Sequence, residues 1–170
     1  MNPHHYNVVP ECYADTLLVE LIGFTRPNHA LNSNLAKVLS TIKAAKPQQK
    51  IVGIIDEDGG RNYKFLKEFE PISEQAGVKL FQKGNHTILV ISPVFEDWVF
   101  ENARMAGVNP DKFGFKDKKY FRKCCKSIHA SRDQQLKNFF NTLYQKRADG
   151  LMQLQLNIME ALGLDPADYG

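Results

Sequence analysis

The sequence predicts an α/β fold, in which a mainly parallel sheet is flanked by helices and followed by a C-terminal helical extension. Apolar, β-branched runs alternate with segments of helical periodicity through the first part of the chain, as in α/β proteins. The run "KIVGII" at 50–55 is apolar almost throughout, as expected for a central strand covered on both faces. From Lys116 onward only helical periodicity is present. We therefore expect an α/β core over residues 1–110 and a basic helical extension over 111–170 packed on that core.

The first elements of the core follow from the spacing of apolar residues. Residues 6–9 predict a short strand, and residues 16–24 predict a helix because leucine and isoleucine recur at helical spacing before Gly23. Residues 34–45 predict a second helix with one apolar face, which ends before Pro47. A strand at 50–55 then ends in "DEDGG".

The second half of the core is less regular. Residues 63–76 predict a helix interrupted at Pro71. The runs "VKLF" and "HTILVIS" predict either a hairpin across "QKGN" or one bent strand, and periodicity does not separate these two structures. Ser92 followed by Pro93 predicts a helix N-terminus, with Ser92 as the N-cap of "VFEDWVFENARMA".

The C-terminal extension is predicted to contain three helices. The first is the basic segment "KKYFRKCCKSI". Ser131 and Gln134 have the spacing of a capping box in front of the second, and residues 151–162 predict the third. No internal repeat or low-complexity linker separates these helices from the core.

The composition limits the class of protein. A chain of 170 residues that is 43% hydrophobic can bury a core without disulfides. Its three cysteines fit neither a metal-binding pattern nor a disulfide framework, so we expect a reducing, cytoplasmic environment. No run approaches the ~18 apolar residues of a membrane span, and the N-terminus lacks the features of a signal peptide, so no membrane partner is expected.

Charge is distributed unevenly along the chain. Residues 111–147 contain 11 Lys or Arg but only 3 Asp or Glu, whereas the rest of the chain is acidic in balance. A basic segment of this kind can bind a phosphate backbone, although a solvated helix face carries similar charges. The candidate nucleic-acid contacts are Lys118, Lys119, Arg122, Lys123 and Lys126.

Acidic residues recur where predicted strands end. Glu11 follows the first strand, and Asp56 and Asp58 follow the strand at 50–55. Ligands of open α/β sheets bind beyond the carboxyl ends of the strands, so these carboxylates are expected to converge there. Carboxylates that lie close together repel one another unless a cation or a proton compensates their charge. Mg²⁺ prefers such oxygen ligands, and Mn²⁺ is an alternative ion.

These residues resemble the Toprim domain shared by topoisomerases, bacterial primases, overcoming-lysogenization-defect nucleases and small ribosomal-RNA maturases. The similarity covers residues 6–108 and rests on Glu11 at the end of a strand, Asp15 in the following helix and the "DED" of residues 56–58. The resemblance implies a Toprim-like, Rossmann-like fold and Mg²⁺-dependent hydrolysis of nucleic-acid phosphodiesters, with DNA or RNA as the partner.

The resemblance also implies roles for single residues. Glu11 is expected to be a general acid or base, with Asp15 at the acidic position that often follows it. Asp56 and Asp58 are expected to hold the metal. Glu96, in "PVFEDWVF", resembles the acidic helix start of the nuclease-type members and is a further candidate ligand.

The chain departs from the family pattern at Cys12 and in "FTRPNHALN", which has only weak β character where the family places a short second strand, and it lacks two features of particular members. Cys12 stands where most members carry glycine directly after the first Glu, which predicts a turn with different backbone angles. No GxxxxGK[ST] motif is present, so a protein partner would have to supply any ATPase activity. No tyrosine matches the separate nucleophile domain of topoisomerases, which favours hydrolysis over strand passage.

Two other hypotheses stay open from the sequence. The first is a catalytically silent Toprim-like module that binds a nucleotide, a nucleic acid or a protein partner, which Cys12 and the short chain favour. The second is a plain α/β interaction domain in which the acidic residues only cap turns and helix ends, because Asp next to Gly is common in turns.

Overall fold

The computed structural model describes residues 5–25, 27, 34–57 and 63–169. Within these residues five strands form one sheet, and seven α-helices surround it. The strands are β1 (Val8–Pro10), β2 (Ile51–Asp56), β3 (Glu70–Gln75), β4 (Val78–Lys83) and β5 (His86–Ile91). The helices are α1 (Tyr13–Leu21), α2 (Leu35–Ala44), α3 (Tyr63–Leu66), α4 (Phe95–Met105), α5 (Lys118–Cys125), α6 (Gln134–Gln145) and α7 (Asp149–Leu162).

The prediction of an α/β fold is confirmed, but the prediction of a mainly parallel sheet is wrong. The strand order is β1-β2-β5-β4-β3. Strands β1, β2 and β5 are parallel, whereas β4 pairs antiparallel with β5 and β3 pairs antiparallel with β4. The sheet is therefore mixed, because a hairpin follows β3 and a second hairpin joins β4 to β5. The runs "VKLF" and "HTILVIS" are thus a hairpin and not one bent strand.

The segment 63–76 contains the largest local difference from the prediction. A helix was expected there, but only the single turn of α3 is helical, and β3 follows it as an edge strand. Pro71 is compatible with an edge strand because the missing N–H leaves no interior hydrogen bond unmade. Every residue of β3 is exposed, so its sequence lacks the apolar alternation that identifies a strand.

Two predicted helix caps are also wrong. Helix α4 begins at Phe95 with Val94 as N-cap, and the hydroxyl of Ser92 donates to Glu57 instead of capping the helix. Helix α6 is capped by Asp133, whose carboxylate accepts the N–H groups of residues 135 and 136. Asp is as good an N-cap as Ser, so the pattern at 131–134 was ambiguous.

The sheet is covered on both faces, which explains the continuous apolar character of β2. Alternate side chains of a strand point to opposite faces. Val52 and Ile54 belong to the larger core beneath α1, α4, α6 and α7, whereas Ile51 and Ile55 belong to a smaller core beneath α2 and α3. Gly53 faces α2, because a Cβ atom there would lie 2.9 Å from a methyl group of Val38.

The C-terminal helices contribute to the larger core. Helix α7 lies against β2, β4 and β5, and helix α6 packs on α1. Aromatic rings join α4 to the helices that follow it: Phe95 contacts Phe140, and Phe100 contacts Phe121. None of the helices in the described ranges combines the length and apolar character that a membrane crossing requires.

Gly150 allows a close approach between α7 and α4, and this contact gives a stability prediction. The N–H of Gly150 donates to the buried Oδ1 of Asn102 over 2.7 Å, and a Cβ atom would lie 2.5 Å from Asn102 and 2.8 Å from Trp98. Substitution Gly150→Ala should therefore lower the free energy of unfolding by about 1–3 kcal/mol. Urea unfolding followed by circular dichroism measures this loss. The exposed Glu160→Ala on the same helix should stay within ~0.5 kcal/mol of wild type, and an equal loss in both variants would contradict the explanation.

Candidate functional site

The carboxyl ends of the three parallel strands meet at one place. Strands β1 and β2 are in register from Val8↔Val52 to Pro10↔Ile54, so Glu11 directly follows the last pair. The backbone N–H of Asp56 donates to Oε2 of Glu11 over 2.9 Å. The strand-end residues that the sequence predicted to converge, Glu11 and Asp56, are therefore in direct contact.

The carboxylate of Asp56 also reaches the third parallel strand end. Its Oδ2 accepts the backbone N–H of Phe95, the first residue of α4, over 3.2 Å. Its Oδ1 is buried and has no hydrogen-bond partner among the described residues. A buried carboxylate oxygen without a donor is costly, so a proton or a cation is the natural complement for this atom.

Asp15 lies deeper than Asp56, in the first turn of α1. Its side chain is only 2% exposed and accepts the Cys12 thiol over 2.8 Å and the Cys12 backbone N–H over 3.3 Å. Cys12 has φ −128° and ψ 176°, which is extended backbone that any residue adopts. From this backbone conformation the Cys12 thiol is placed to donate to Asp15.

Glu96 brings a fourth carboxylate to the same cluster from the first turn of α4. Its side chain is buried, and Oε1 lies 3.8 Å from the guanidinium Nε of Arg122 on α5. The neighbouring Asp97 pairs with Lys118 of α5 over 2.9 Å. The basic helix thus lies directly beside the acidic cluster, which we define as Glu11, Asp15, Asp56 and Glu96.

Burial and mutual repulsion change the proton affinity of the acidic cluster. The pKa of Asp56 is raised to about 9, mainly by burial and also by the charges of Asp15 and Glu11, while the hydrogen bond from the Phe95 N–H lowers it. Burial raises the pKa of Asp15 to about 7, opposed by the hydrogen bond from the Cys12 thiol. Burial also raises the pKa of Cys12, with the adjacent Asp15 charge adding to the effect. In the absence of a cation, the cluster therefore retains protons near neutral pH.

The other acidic residues of the "DED" segment have different surroundings. Glu57 points to the opposite face of the sheet from Asp56, where it accepts from Lys79 over 3.0 Å and from the hydroxyl of Ser92. Glu57 therefore forms a structural ion pair with Lys79 at the end of β2. Asp58, the second predicted metal ligand, lies outside the described residues.

The remaining sequence-predicted residues are all on α5 or at its end. Their side chains are exposed, and two of them face the acids of α4 as described above. They are Lys118, Lys119, Arg122, Lys123 and Lys126. The sequence did not predict that the backbone N–H of Phe95 donates to Asp56. The signal that could have identified this donor is the start of a helix shortly after a strand end.

The described part of the chain contains no set of three metal-ligating side chains. Within residues 5–25, 27, 34–57 and 63–169, no three His, Cys, Asp or Glu side chains form a group that could hold a metal ion. The donor chemistry of Asp56 Oδ1 nevertheless suits a hard cation, because this oxygen is buried and lacks a donor among the described residues.

Comparison of the chain with protein-family models, with curated proteins and with solved structures finds no match.

The raised pKa values predict how stability depends on pH. An acid with a higher pKa in the folded state holds a proton that the unfolded chain has released, so stability is present at low pH and is lost as pH rises. In EDTA, the free energy of unfolding should therefore fall between pH 5 and pH 9. Asp56→Asn should reduce this fall by about 1–3 kcal/mol, because the group with the higher of the two pKa values, about 9, no longer ionises.

Denaturant unfolding at several pH values measures this effect. Glu74→Gln is the matched control, since Glu74 is an exposed carboxylate on the edge strand β3. The control should follow the wild-type curve, and an unchanged curve for Asp56→Asn would contradict the assignment.

Proposed function

We propose that this protein is a metal-dependent nuclease of the Toprim type, which hydrolyses phosphodiester bonds in DNA or RNA. The observation that carries the proposal is Asp56 Oδ1, a buried carboxylate oxygen without a hydrogen-bond partner among the described residues, inside the acidic cluster. A group of this kind is expensive to maintain in a fold, and such groups concentrate at functional sites.

The proposed metal ligands are Asp56 and Glu96 from the acidic cluster, together with Asp58 as expected from the sequence. Mg²⁺, or Mn²⁺ in its place, would polarise the scissile phosphate and lower the pKa of a bound water. The parallel pairing of β1, β2 and β5 supports the Toprim type, since Glu11 and Asp56 then end neighbouring strands.

The side chains around the acidic cluster would position the substrate and move protons. Glu11 is held against the backbone of Asp56 and would transfer a proton at the reacting phosphate, with the buried Asp15 as its neighbour. Arg122 lies at the margin of the cluster with half of its side chain exposed, so its guanidinium can contact a phosphate oxygen. The other basic residues of α5 would bind neighbouring phosphates.

A cleavage assay tests the proposal. The purified full chain is incubated with plasmid, single-stranded DNA and structured RNA in Mg²⁺, in Mn²⁺ and in EDTA. We expect metal-dependent cleavage that falls about 10²–10⁴-fold in Glu11→Gln and in Asp56→Asn. The control variant Glu74→Gln should cleave at the wild-type rate.

Two results would refute the proposal. The first is the absence of cleavage with every substrate and both metals. The second is cleavage that is as fast in Asp56→Asn as in wild type, which would indicate a contaminating nuclease. Circular dichroism of each variant excludes unfolding as the cause of a lost activity.

The second candidate function is a catalytically silent Toprim-like module that binds nucleic acid. The absence of a three-ligand metal group among residues 5–25, 27, 34–57 and 63–169 favours it, as does the proton affinity of Asp56. Electron paramagnetic resonance of Mn²⁺ separates the two functions. A nuclease should bind Mn²⁺ and lose it in Asp56→Asn, whereas the silent module should bind no Mn²⁺ at neutral pH but still bind nucleic acid.

A further inference from the structure

The exposed surface of α5 combines positive charge with one exposed aromatic ring. From Lys116 to Lys126 the chain carries six Lys or Arg and one acid, Asp117, whose carboxylate is occupied as the N-cap of α5. Phe121, Cys124 and Cys125 are buried beneath the helix. Tyr120 is 44% exposed, so part of its ring faces solvent.

Tyr120 is held in place despite its exposure. Its ring packs against the buried ring of Phe115, with centroids 6.2 Å apart and planes inclined by 35°. A ring that is held by packing and still exposed loses little conformational entropy when a second planar group stacks on it.

The order of side chains around α5 connects this ring with the acidic cluster. Successive residues of an α-helix are rotated by about 100°, so Tyr120 lies roughly 160° around the axis from Lys118. Lys118 and Arg122 face the acids of α4. Lys119 and Lys123 lie between that side and Tyr120, so a chain crossing α5 from the cluster would pass two lysines before it reaches the ring.

We infer that α5 binds single-stranded nucleic acid, with Lys119 and Lys123 contacting phosphates and an unpaired base stacking on Tyr120. The inference rests on the proposed function in taking nucleic acid as the substrate, and it deepens that function by naming the strand class. Basic grooves with aromatic platforms bind single strands because unpaired bases expose their faces, whereas the bases of a duplex are already stacked on one another. A duplex could use the lysines but not the ring.

Fluorescence anisotropy in EDTA measures this binding without cleavage. The probes are labelled oligothymidylate, labelled oligouridylate and a labelled DNA duplex of the same length. We expect wild type to bind one or both single strands more tightly than the duplex. Comparison of the first two probes shows whether DNA or RNA is preferred, and either preference supports the inference.

Variants of Tyr120 separate stacking from charge. Tyr120→Ala should weaken binding of the preferred single strand about 10-fold or more but change duplex affinity less than about twofold. Tyr120→Phe keeps the ring and should retain most of the affinity. Tyr6→Ala is the matched control, because Tyr6 is 59% exposed and lies outside α5. It should bind like wild type.

Lys119→Gln and Lys123→Gln test the phosphate contacts. Each substitution should weaken binding of both the single strands and the duplex. For single strands it should also reduce the slope of log affinity against log salt concentration by about 0.7. Two results with Tyr120→Ala would overturn the inference. The first is an unchanged affinity for single strands, and the second is an equal loss of affinity for single strand and duplex. Tighter binding of the duplex by wild type would overturn it as well.

The outcome is independent of catalysis. If cleavage is lost in Asp56→Asn but binding of single strands does not depend on Tyr120, the nuclease is supported and the binding mode is refuted. Binding that depends on Tyr120 without any metal-dependent cleavage would refute the nuclease and leave the single-strand surface in place.

Discussion

The arrangement of the candidate site depends on two hydrogen bonds at Asp56, each of which joins a backbone N–H to a carboxylate. Its N–H donates to Glu11 and its Oδ2 accepts from the N–H of Phe95, so one residue joins the ends of β1, β2 and the segment that follows β5. Both bonds leave Oδ1 without a donor among the described residues. The acidic cluster is therefore a product of strand register, and a shift of β1 against β2 would separate Glu11 from Asp56.

The basic helix provides the counterpart of this cluster. Buried carboxylates that lie close together repel one another. The guanidinium of Arg122 lies close enough to Glu96 to reduce that repulsion. Asp97 pairs with Lys118 at the exposed margin, where such a pair contributes little to stability. The buried residues Phe121, Cys124 and Cys125 fix which face of α5 is turned towards the core, and with this orientation Lys118 and Arg122 face the acids of α4.

The sequence predicted those parts of the fold whose signals are local or periodic. The apolar run of β2 and the helical spacing of α2 and α7 were sufficient, and the acids at strand ends indicated where the cluster would form. The edge strand β3 could not be predicted, because its side chains are all exposed and its conformation depends on pairing with β4. The cap of α4 was missed for a similar reason, since Ser92 hydrogen-bonds to Glu57, which directly follows β2 and is remote in sequence. The deep burial of Asp15 and its bonds to Cys12 also required the three-dimensional structure.

The aromatic packing between α4 and the C-terminal helices has a consequence for how the chain can be divided. Phe95 and Phe100 flank the turn of α4 that carries Glu96, and they rest on Phe140 and Phe121 of the extension. A fragment ending near residue 110 would keep all four acids of the cluster yet expose these rings to water. Shortened versions of the chain are therefore poor reagents for studying the acidic residues, because aggregation through uncovered rings would be mistaken for a missing activity.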